Sequence, residues 1–163
     1  MLPSKFSAIE LQTFCQDFCD RSPTQKVLIL RQYGLERYGQ LLCQLKPVPG
    51  NLLCLGKFFT QPGRMKFPQL QGTDLSGLDL SNTNMIRANF TGANLQNCNL
   101  QRADIIFGNF TTANLTQANL QDCTLNETCW LESIVTDCVF SGSQGIPPGQ
   151  QQMLVTKGAI FVS

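Results

Sequence analysis

The sequence contains no histidine, which removes the usual general base of a serine or cysteine nucleophile and the commonest zinc ligand. Charged residues make up only 14% of the chain and the net charge is +1, so the composition does not indicate a nucleic-acid-binding tail. There is no run of eighteen apolar residues and no signal-peptide pattern. The sequence therefore predicts neither a membrane span nor secretion, and we expect a cytoplasmic protein.

Apolar residues recur at every fifth position from Leu70 to Phe140 without interruption. The series is Leu70, Leu75, Leu80, Met85, Phe90, Leu95, Leu100, Ile105, Phe110, Leu115, Leu120, Leu125, Trp130, Val135 and Phe140. A period of five matches neither an α-helix nor a β-strand, so neither element can continue along this segment. The chain must instead turn at regular intervals.

The positions around each apolar residue repeat as well. A small residue such as Ala88 or Cys98 stands two positions earlier, and Asp or Asn stands one position earlier in most repeats. Polar residues or glycine follow, as in Ser76-Gly77 and Thr91-Gly92. Short polar side chains and glycine are the residues that turns require, and alternating small and large inward residues fill a narrow interior.

The segments A-N-F-T-G (88–92), A-N-L-T-Q (113–117) and A-N-L-Q-D (118–122) resemble the A-(D/N)-L-x-x unit of pentapeptide repeat proteins. The resemblance covers residues 68–142. It implies a mainly β solenoid, a right-handed quadrilateral β-helix with four repeats per coil and about four coils. A left-handed β-helix requires a six-residue period, and leucine-rich repeats require a longer period with another internal pattern.

Four repeats per coil place residues twenty apart above one another. One inner column then reads Leu70, Phe90, Phe110 and Trp130. Aromatic residues that fall together at a spacing of twenty support the four-repeat coil independently of the resemblance. We expect all the central residues to be core residues.

The open ends of a β-helix require covering, and both flanking segments have suitable patterns. Residues 1–67 predict an α-helical N-terminal cap, with capping boxes at Ser7–Glu10 and Ser22–Gln25. Residues 143–163 predict a C-terminal cap segment of one short helix and a strand. The chain is thus predicted to comprise the helical cap 1–67, the β-helix 68–142 and the segment 143–163.

The eight cysteines, in a chain without a secretory signal, are typical of a reducing cytosol. We expect Cys98, Cys123 and Cys138 to pack inside the coils. Four others, Cys15, Cys19, Cys43 and Cys54, are conceivable zinc ligands, but their spacing is poor and the chain lacks histidine. We therefore predict no metal, no cofactor and no catalytic residues, and the sequence predicts that the protein is not an enzyme.

Charge is distributed unevenly along the chain. Residues 1–67 carry nine Lys and Arg against four acids, whereas residues 68–142 carry only Arg87 and Arg102 against seven acids. Four of the acids share one repeat position in successive units and are expected to ring the last coil: Asp122, Glu127, Glu132 and Asp137. This acidic ring is either a solvated edge or a docking site for a basic partner.

An outward apolar cluster is the strongest sign of a partner. Ile86 and Ile106 stand twenty apart, and Phe107 lies beside them at positions where most repeats carry polar residues or glycine. Such a patch is typical of a contact surface, although the N-terminal helices are an alternative cover for it. The sequence thus favours a protein-interaction scaffold with an unknown protein partner, as a monomer or a weak dimer through the last coil.

Two other functions stay open at this stage. The resemblance is to a family that is abundant in cyanobacteria, including at photosynthetic membranes, and the segment 52–59 with its apolar residues and Lys57 allows a peripheral membrane role. Some members resemble an acidic, DNA-like rod that protects type II topoisomerases. The near-neutral charge of this chain and its short β-helix depart from that pattern, and direct nucleic-acid binding is not expected.

Overall fold

The protein is described by a computed structural model that covers residues 6–62 and 67–162. The chain divides into two compact units, residues 1–66 and residues 67–163. Within the described residues no helix is long and apolar enough to cross a membrane.

The first unit is helical. Its elements are α1 (Ala8–Asp20), α2 (Pro23–Gln32), a 3-10 turn (Glu36–Tyr38), α3 (Gly39–Leu42) and α4 (Pro49–Thr60). The core of the unit contains Phe18, Leu30, Leu35, Leu55 and Phe58, each no more than 1% exposed. Aromatic rings add edge-on contacts, such as Phe18 against Phe59 at 5.1 Å between centroids.

Both predicted capping boxes are confirmed. Ser7 accepts from the amide of Glu10 and the Glu10 carboxylate accepts from the amide of Ser7, and the Ser22–Gln25 pair repeats this exchange. Helix α4 begins at Pro49. Proline lacks an N–H that the first helical turn would leave unpaired anyway, so its position favours a start rather than a stop.

The second unit consists of stacked coils with four repeats per coil, as predicted. From Gln69 to Gln144, parallel bridges join residues twenty apart, for example Gln69 to Asn89, Asn89 to Asn109 and Asn109 to Cys129, which gives four levels on this side. Every bridge is isolated, so the sides contain single extended residues rather than continuous strands in the described part of the chain. A turn every five residues leaves no room for a longer strand.

Each repeat with a coil on both sides contributes three backbone hydrogen bonds between coils. The amide of Leu95 donates to the carbonyl of Asn114 at 2.7 Å, and the amide of Asn97 donates to the carbonyl of Thr116 at 3.0 Å. In the opposite direction the amide of Asn94 donates to the carbonyl of Thr73 in the coil before it, at 2.9 Å. The same three bonds recur around the stack, so nearly every buried backbone group has a partner.

The predicted aromatic column packs inside the coils, along one side of the stack. Phe90 stacks on Phe110 with a centroid distance of 4.9 Å, and Phe110 stacks on Trp130 at 4.3 Å. Both ring pairs are nearly parallel, with interplanar angles of 6° and 8°. The central residues from Leu70 to Phe140 are at most 2% exposed, which confirms the predicted core.

The Asp and Asn residues before the central position organise the turns. Their side-chain oxygens accept hydrogen bonds from the amide two residues later, as in Asn94 with Gln96 at 3.2 Å and Asn109 with Thr111 at 2.9 Å. An exception is Asp104, whose Oδ1 is buried without a hydrogen-bond partner in the described part of the chain. By accepting these bonds, the other Asp and Asn side chains hold the turn that follows each bridged residue.

The second residue after each central residue adopts a positive φ. Glycine occupies this position at Gly72, Gly77, Gly92 and Gly142, with φ between 63° and 76°. Eleven other residues adopt the same conformation with φ between 54° and 60°: Asn82, Arg87, Asn97, Arg102, Phe107, Thr112, Gln117, Asp122, Glu127, Glu132 and Asp137. The sequence did not reveal this requirement, because most of these side chains disfavour the left-handed region.

The C-terminal segment packs on the last coil. Helix α5 (Pro148–Thr156) follows the final repeat, and the Nε2 of Gln150 donates to the carbonyl of Thr128 at 3.3 Å. The chain then returns to the stack, where Ile160 forms a parallel bridge with Val139. The ring of Phe161 stacks on Phe140 at 5.0 Å. The predicted final strand is thus a single bridge that continues one core column.

We expect Phe110→Asp to abolish cooperative unfolding of the coils, because it places a carboxylate between Phe90 and Trp130. A carboxyl group between two rings has no hydrogen-bond partner, and its burial with the loss of both ring contacts costs a free energy comparable with the roughly 5–15 kcal/mol by which a domain is stable. Differential scanning calorimetry measures the transition, with the exposed Gln117→Asp as the control. A cooperative transition in the Phe110→Asp protein would contradict the assigned register.

We expect Thr112→Asn to raise the free energy of unfolding by about 0.5–1 kcal/mol, since a β-branched residue is strained at positive φ and asparagine tolerates it. Urea denaturation measures the change. The control is Thr136→Asn. Thr136 is the first residue after a central residue, Val135, whereas Thr112 is the second after Phe110, and the φ of Thr136 is not positive. Equal effects of the two substitutions would show that backbone strain is not the cause.

Candidate functional site

One corner of the coil stack differs from the other three. Its turns contain Ile86-Arg87 and Ile106-Phe107, whereas the corresponding turns of the opposite corner are Gln96-Asn97 and Thr116-Gln117. Ile86 and Ile106 are half-buried, and the Phe107 side chain is 50% exposed. We call Ile86, Ile106 and Phe107 the apolar ridge. It comprises the three partner-surface residues that the sequence predicts, and the stacking of coils places them along one corner.

Arg87 connects this ridge to the start of the coil stack. Its guanidinium lies over the ring of Phe67 and over the ring of Phe107, at 5.2 Å from each centroid. Residues 67, 87 and 107 are spaced by twenty, so the coil register produces this arrangement. Sequence reasoning missed the participation of Phe67 and Arg87, although the spacing of twenty was sufficient to find it. The two cation–π contacts hold Phe107 in a defined position at the surface.

The acidic residues lie at the four corners of one coil turn. Asp122, Glu127, Glu132 and Asp137 are all exposed, and each has a φ between 54° and 57°. The guanidinium of Arg102 is 4.0 Å from the carboxylate of Asp122, while the other three have no ion-pair partner within residues 6–62 and 67–162. Exposed carboxylates spaced in this way interact weakly with one another and present negative charge to solvent.

Apolar side chains are exposed beside this acidic ring. Leu131 is 62% exposed and Ile134 is 50% exposed, close in sequence to Glu132. In the last four repeats the position of Asp or Asn is taken by Thr124, Cys129, Ile134 and Val139. Two of these pair with the C-terminal segment, since Thr124 bridges Gln144 and Val139 bridges Ile160. Ile134 instead remains exposed. This end of the stack therefore combines apolar and acidic surface.

The cysteines fall into two groups. Cys98, Cys123 and Cys138 are at most 1% exposed, and burial raises the pKa of the Cys98 and Cys123 thiols to about 12. Cys129 is exposed, and the Thr111 hydroxyl, 3.4 Å from its sulfur, holds the pKa of its thiol below the usual value of 9.0. Cys129 lies beside Thr111 because the coil register bridges residue 129 to Asn109.

The conceivable zinc set does not form a site. Cys15 and Cys54 are buried, and burial raises the pKa of both thiols to about 12, which disfavours the thiolate that zinc requires. No group of three or more Cys, Asp and Glu residues suited to a metal ion occurs among the described residues. All eight cysteines are free thiols.

The segment 52–59, considered for membrane contact, is largely internal. Leu55, Phe58 and Phe59 are no more than 3% exposed, whereas Leu53 is 64% exposed. Most of the apolar residues in this segment therefore form the helical core. Only a narrow apolar strip of α4 is available at the surface.

The repeats match the family model of pentapeptide repeats in eight copies, over residues 69–105 and 94–129. No curated protein matches the chain significantly.

Solved structures provide further similarities. A pentapeptide repeat protein from the Arabidopsis thaliana thylakoid lumen is 29% identical over 55% of this chain and 63% of its own, with a TM-score of 0.52. Rfr23 from the cyanobacterium Cyanothece 51142 is 27% identical over 47% of this chain and 52% of its own, with a TM-score of 0.25. HetL from Nostoc sp. strain PCC 7120, involved in heterocyst differentiation regulation, is 22% identical over 46% of this chain and 44% of its own, with a TM-score of 0.24.

This chain thus spans less than two thirds of the length of each of these structures. The similarity to the Arabidopsis protein, together with the repeat match, implies a right-handed β-helix for the stacked coils.

We expect Cys129 to react with a disulfide reagent such as DTNB much faster than Cys98, Cys123 and Cys138, which should react only after unfolding. Because the Cys129 pKa is lowered, the midpoint of its rate profile should lie below pH 9.0. Thr111→Val should shift this midpoint upward by removing the hydroxyl. Peptide mass spectrometry after timed labelling distinguishes the sites, and an unchanged midpoint in the variant would contradict the assigned role of Thr111.

Proposed function

We propose that this chain, which is a pentapeptide repeat protein, serves as a non-enzymatic scaffold whose protein partner docks on the apolar ridge. Members of the family are generally structural or interaction proteins rather than enzymes. In this proposal the coils supply a rigid surface, and the outward turn residues determine which partner binds.

The observation that carries the proposal is the position of Phe107. Its backbone has a φ of 60°, a conformation that costs a non-glycine residue about 1–2 kcal/mol. Glycine and asparagine fit this position elsewhere in the stack, so turn geometry does not favour phenylalanine. The side chain is half exposed and held by Arg87, and exposed aromatic residues with defined positions are typical anchors of interfaces.

The acidic ring supports a second docking surface on the same scaffold, for a basic partner. Glu127 lies directly above Phe107 in the same corner, so a partner with both an apolar and a basic group fits the two features together. A DNA-like rod is less well supported, because Arg87 and Arg102 interrupt the acidic surface and only four levels of coil are present. A weak dimer through the last coil remains an alternative use of the exposed Leu131 and Ile134.

The compartment also belongs to the proposal. Buried thiols in the coil core are typical of proteins from a reducing compartment, and we propose the cytoplasm. The similar Arabidopsis protein is from the thylakoid lumen, which makes a peripheral role beside membranes the alternative.

Site-specific photo-crosslinking in the native host tests the ridge. A benzoylphenylalanine at position 107 should capture a discrete protein, whereas the same group at Gln117 should not. Gln117 is a matched control because it is exposed and has a φ of 59° at the opposite corner. The captured protein is then purified for a binding measurement.

The triple variant Ile86→Ser, Ile106→Ser, Phe107→Ser should weaken binding of that partner at least tenfold while the coils stay folded. The control replaces Gln96, Thr116 and Gln117 with alanine. Equal capture at both positions, or full affinity of the triple variant, would refute the ridge as the docking surface.

A further inference from the structure

A groove runs between α1 and α4 in the helical unit, separate from the apolar ridge. Its volume is about 430 Å³, within the range of small-molecule sites. Helix α4 contributes residues at positions 49, 52, 53, 56, 57 and 60, which share one helical face. Helix α1 contributes Ala8, Leu11 and Gln12. The groove thus lies within one unit and is formed by two helix faces.

Gly56 allows the two helices to approach each other beneath the groove. A Cβ atom at this position would lie 3.2 Å from Cδ2 of Leu11, closer than ordinary packing. The next contacts occur further along both helices, where Phe14 meets Phe59 at 5.0 Å between ring centroids. The contacts therefore advance along α1 and α4 in the same direction, which gives the groove two distinguishable ends.

The two ends differ in chemistry. Ala8, Leu52 and Leu53 lie toward the starts of the two helices, and the lining there is apolar. Lys57 and Thr60 lie toward the end of α4. Lys57 is exposed and forms no salt bridge within the described residues.

Other polar groups accompany the Lys57 ammonium. The amide of Gln12 lines the same groove and supplies donors. The Thr60 hydroxyl donates to the carbonyl of Gly56 at 2.7 Å, which leaves its oxygen able to accept. One end of the groove is therefore apolar and the other presents a cation with neutral hydrogen-bonding groups.

We propose that this groove binds a single-chain amphiphile with a carboxylate head group, that is, a free fatty acid. The acyl chain lies on Leu11, Leu52 and Leu53, and the carboxylate pairs with Lys57. The ligand class follows from the change from apolar to polar lining along the groove and from the positive charge of Lys57, the one charged lining residue within residues 6–62.

Calorimetric titration of the full chain, stripped of lipid, tests this assignment. Decanoate should bind at least tenfold more tightly than decanol, and decyltrimethylammonium should bind more weakly than either. Affinity for longer saturated acids should rise about fourfold per added methylene until the groove is full. All three head groups binding equally, or no heat with decanoate, would overturn the proposal.

Two pairs of variants locate the site. Lys57→Gln should remove the advantage of decanoate over decanol, while Arg21→Gln, another exposed cation near α1, should not. Leu53→Ser should weaken decanoate and decanol alike, while Leu28→Ser, at a residue 53% exposed on α2, should leave both unchanged. The assignment would be overturned if Arg21→Gln removed the advantage of decanoate as fully as Lys57→Gln, or if Leu28→Ser weakened binding as much as Leu53→Ser.

A vesicle assay separates a free ligand from a membrane surface. Sedimentation with phosphatidylglycerol vesicles in the absence of any decanoate heat would overturn the groove site and favour peripheral membrane contact. The Ile86, Ile106 and Phe107 triple variant should bind decanoate normally, so failure of the ridge and failure of the groove are distinguishable.

Discussion

The hydrogen bonds between successive coils are the constraint on which the repeat unit depends. In each repeat that has a coil on both sides, three amides donate to a carbonyl about twenty residues away, and the distances stay between 2.7 and 3.2 Å. A single inserted residue would shift every later repeat out of phase with the coil below it. The spacing of central, small and Asx residues is therefore fixed by the backbone, and the aromatic column is a consequence of that register.

The same constraint explains what the sequence could and could not predict. The core was predictable because inward positions require apolar side chains of limited size. The spacing of twenty between Phe90, Phe110 and Trp130 also indicated that they stack in one column. The positive φ values were not, because Arg87, Thr112 and Glu132 are poor residues for that region. Cross-coil hydrogen bonds from the amides of Arg87 and Thr112 impose the conformation there, against local preference.

The two candidate surfaces also differ in how far the sequence predicts them. Ile86, Ile106 and Phe107 were recognisable because polar residues are expected at outward turns, and an apolar exception is visible in the sequence. The groove in the helical unit was not recognisable, since it requires α1 and α4, about thirty residues apart in sequence, to pack at Gly56. Similarly, the Lys57 ammonium acquires a neighbouring amide and hydroxyl only in the folded unit. Turn residues of a repeat can be interpreted locally, whereas a groove between helices depends on tertiary packing.

Trp130 gives the two units separate optical reporters. It is the single tryptophan of the chain, it is 2% exposed, and its indole N–H donates to the Thr128 hydroxyl at 2.8 Å. Its emission therefore reports the integrity of the last coil, whereas far-ultraviolet ellipticity reports mainly the helices of residues 8–60. The order in which the two units unfold can thus be followed in the unmodified protein, without any engineered label.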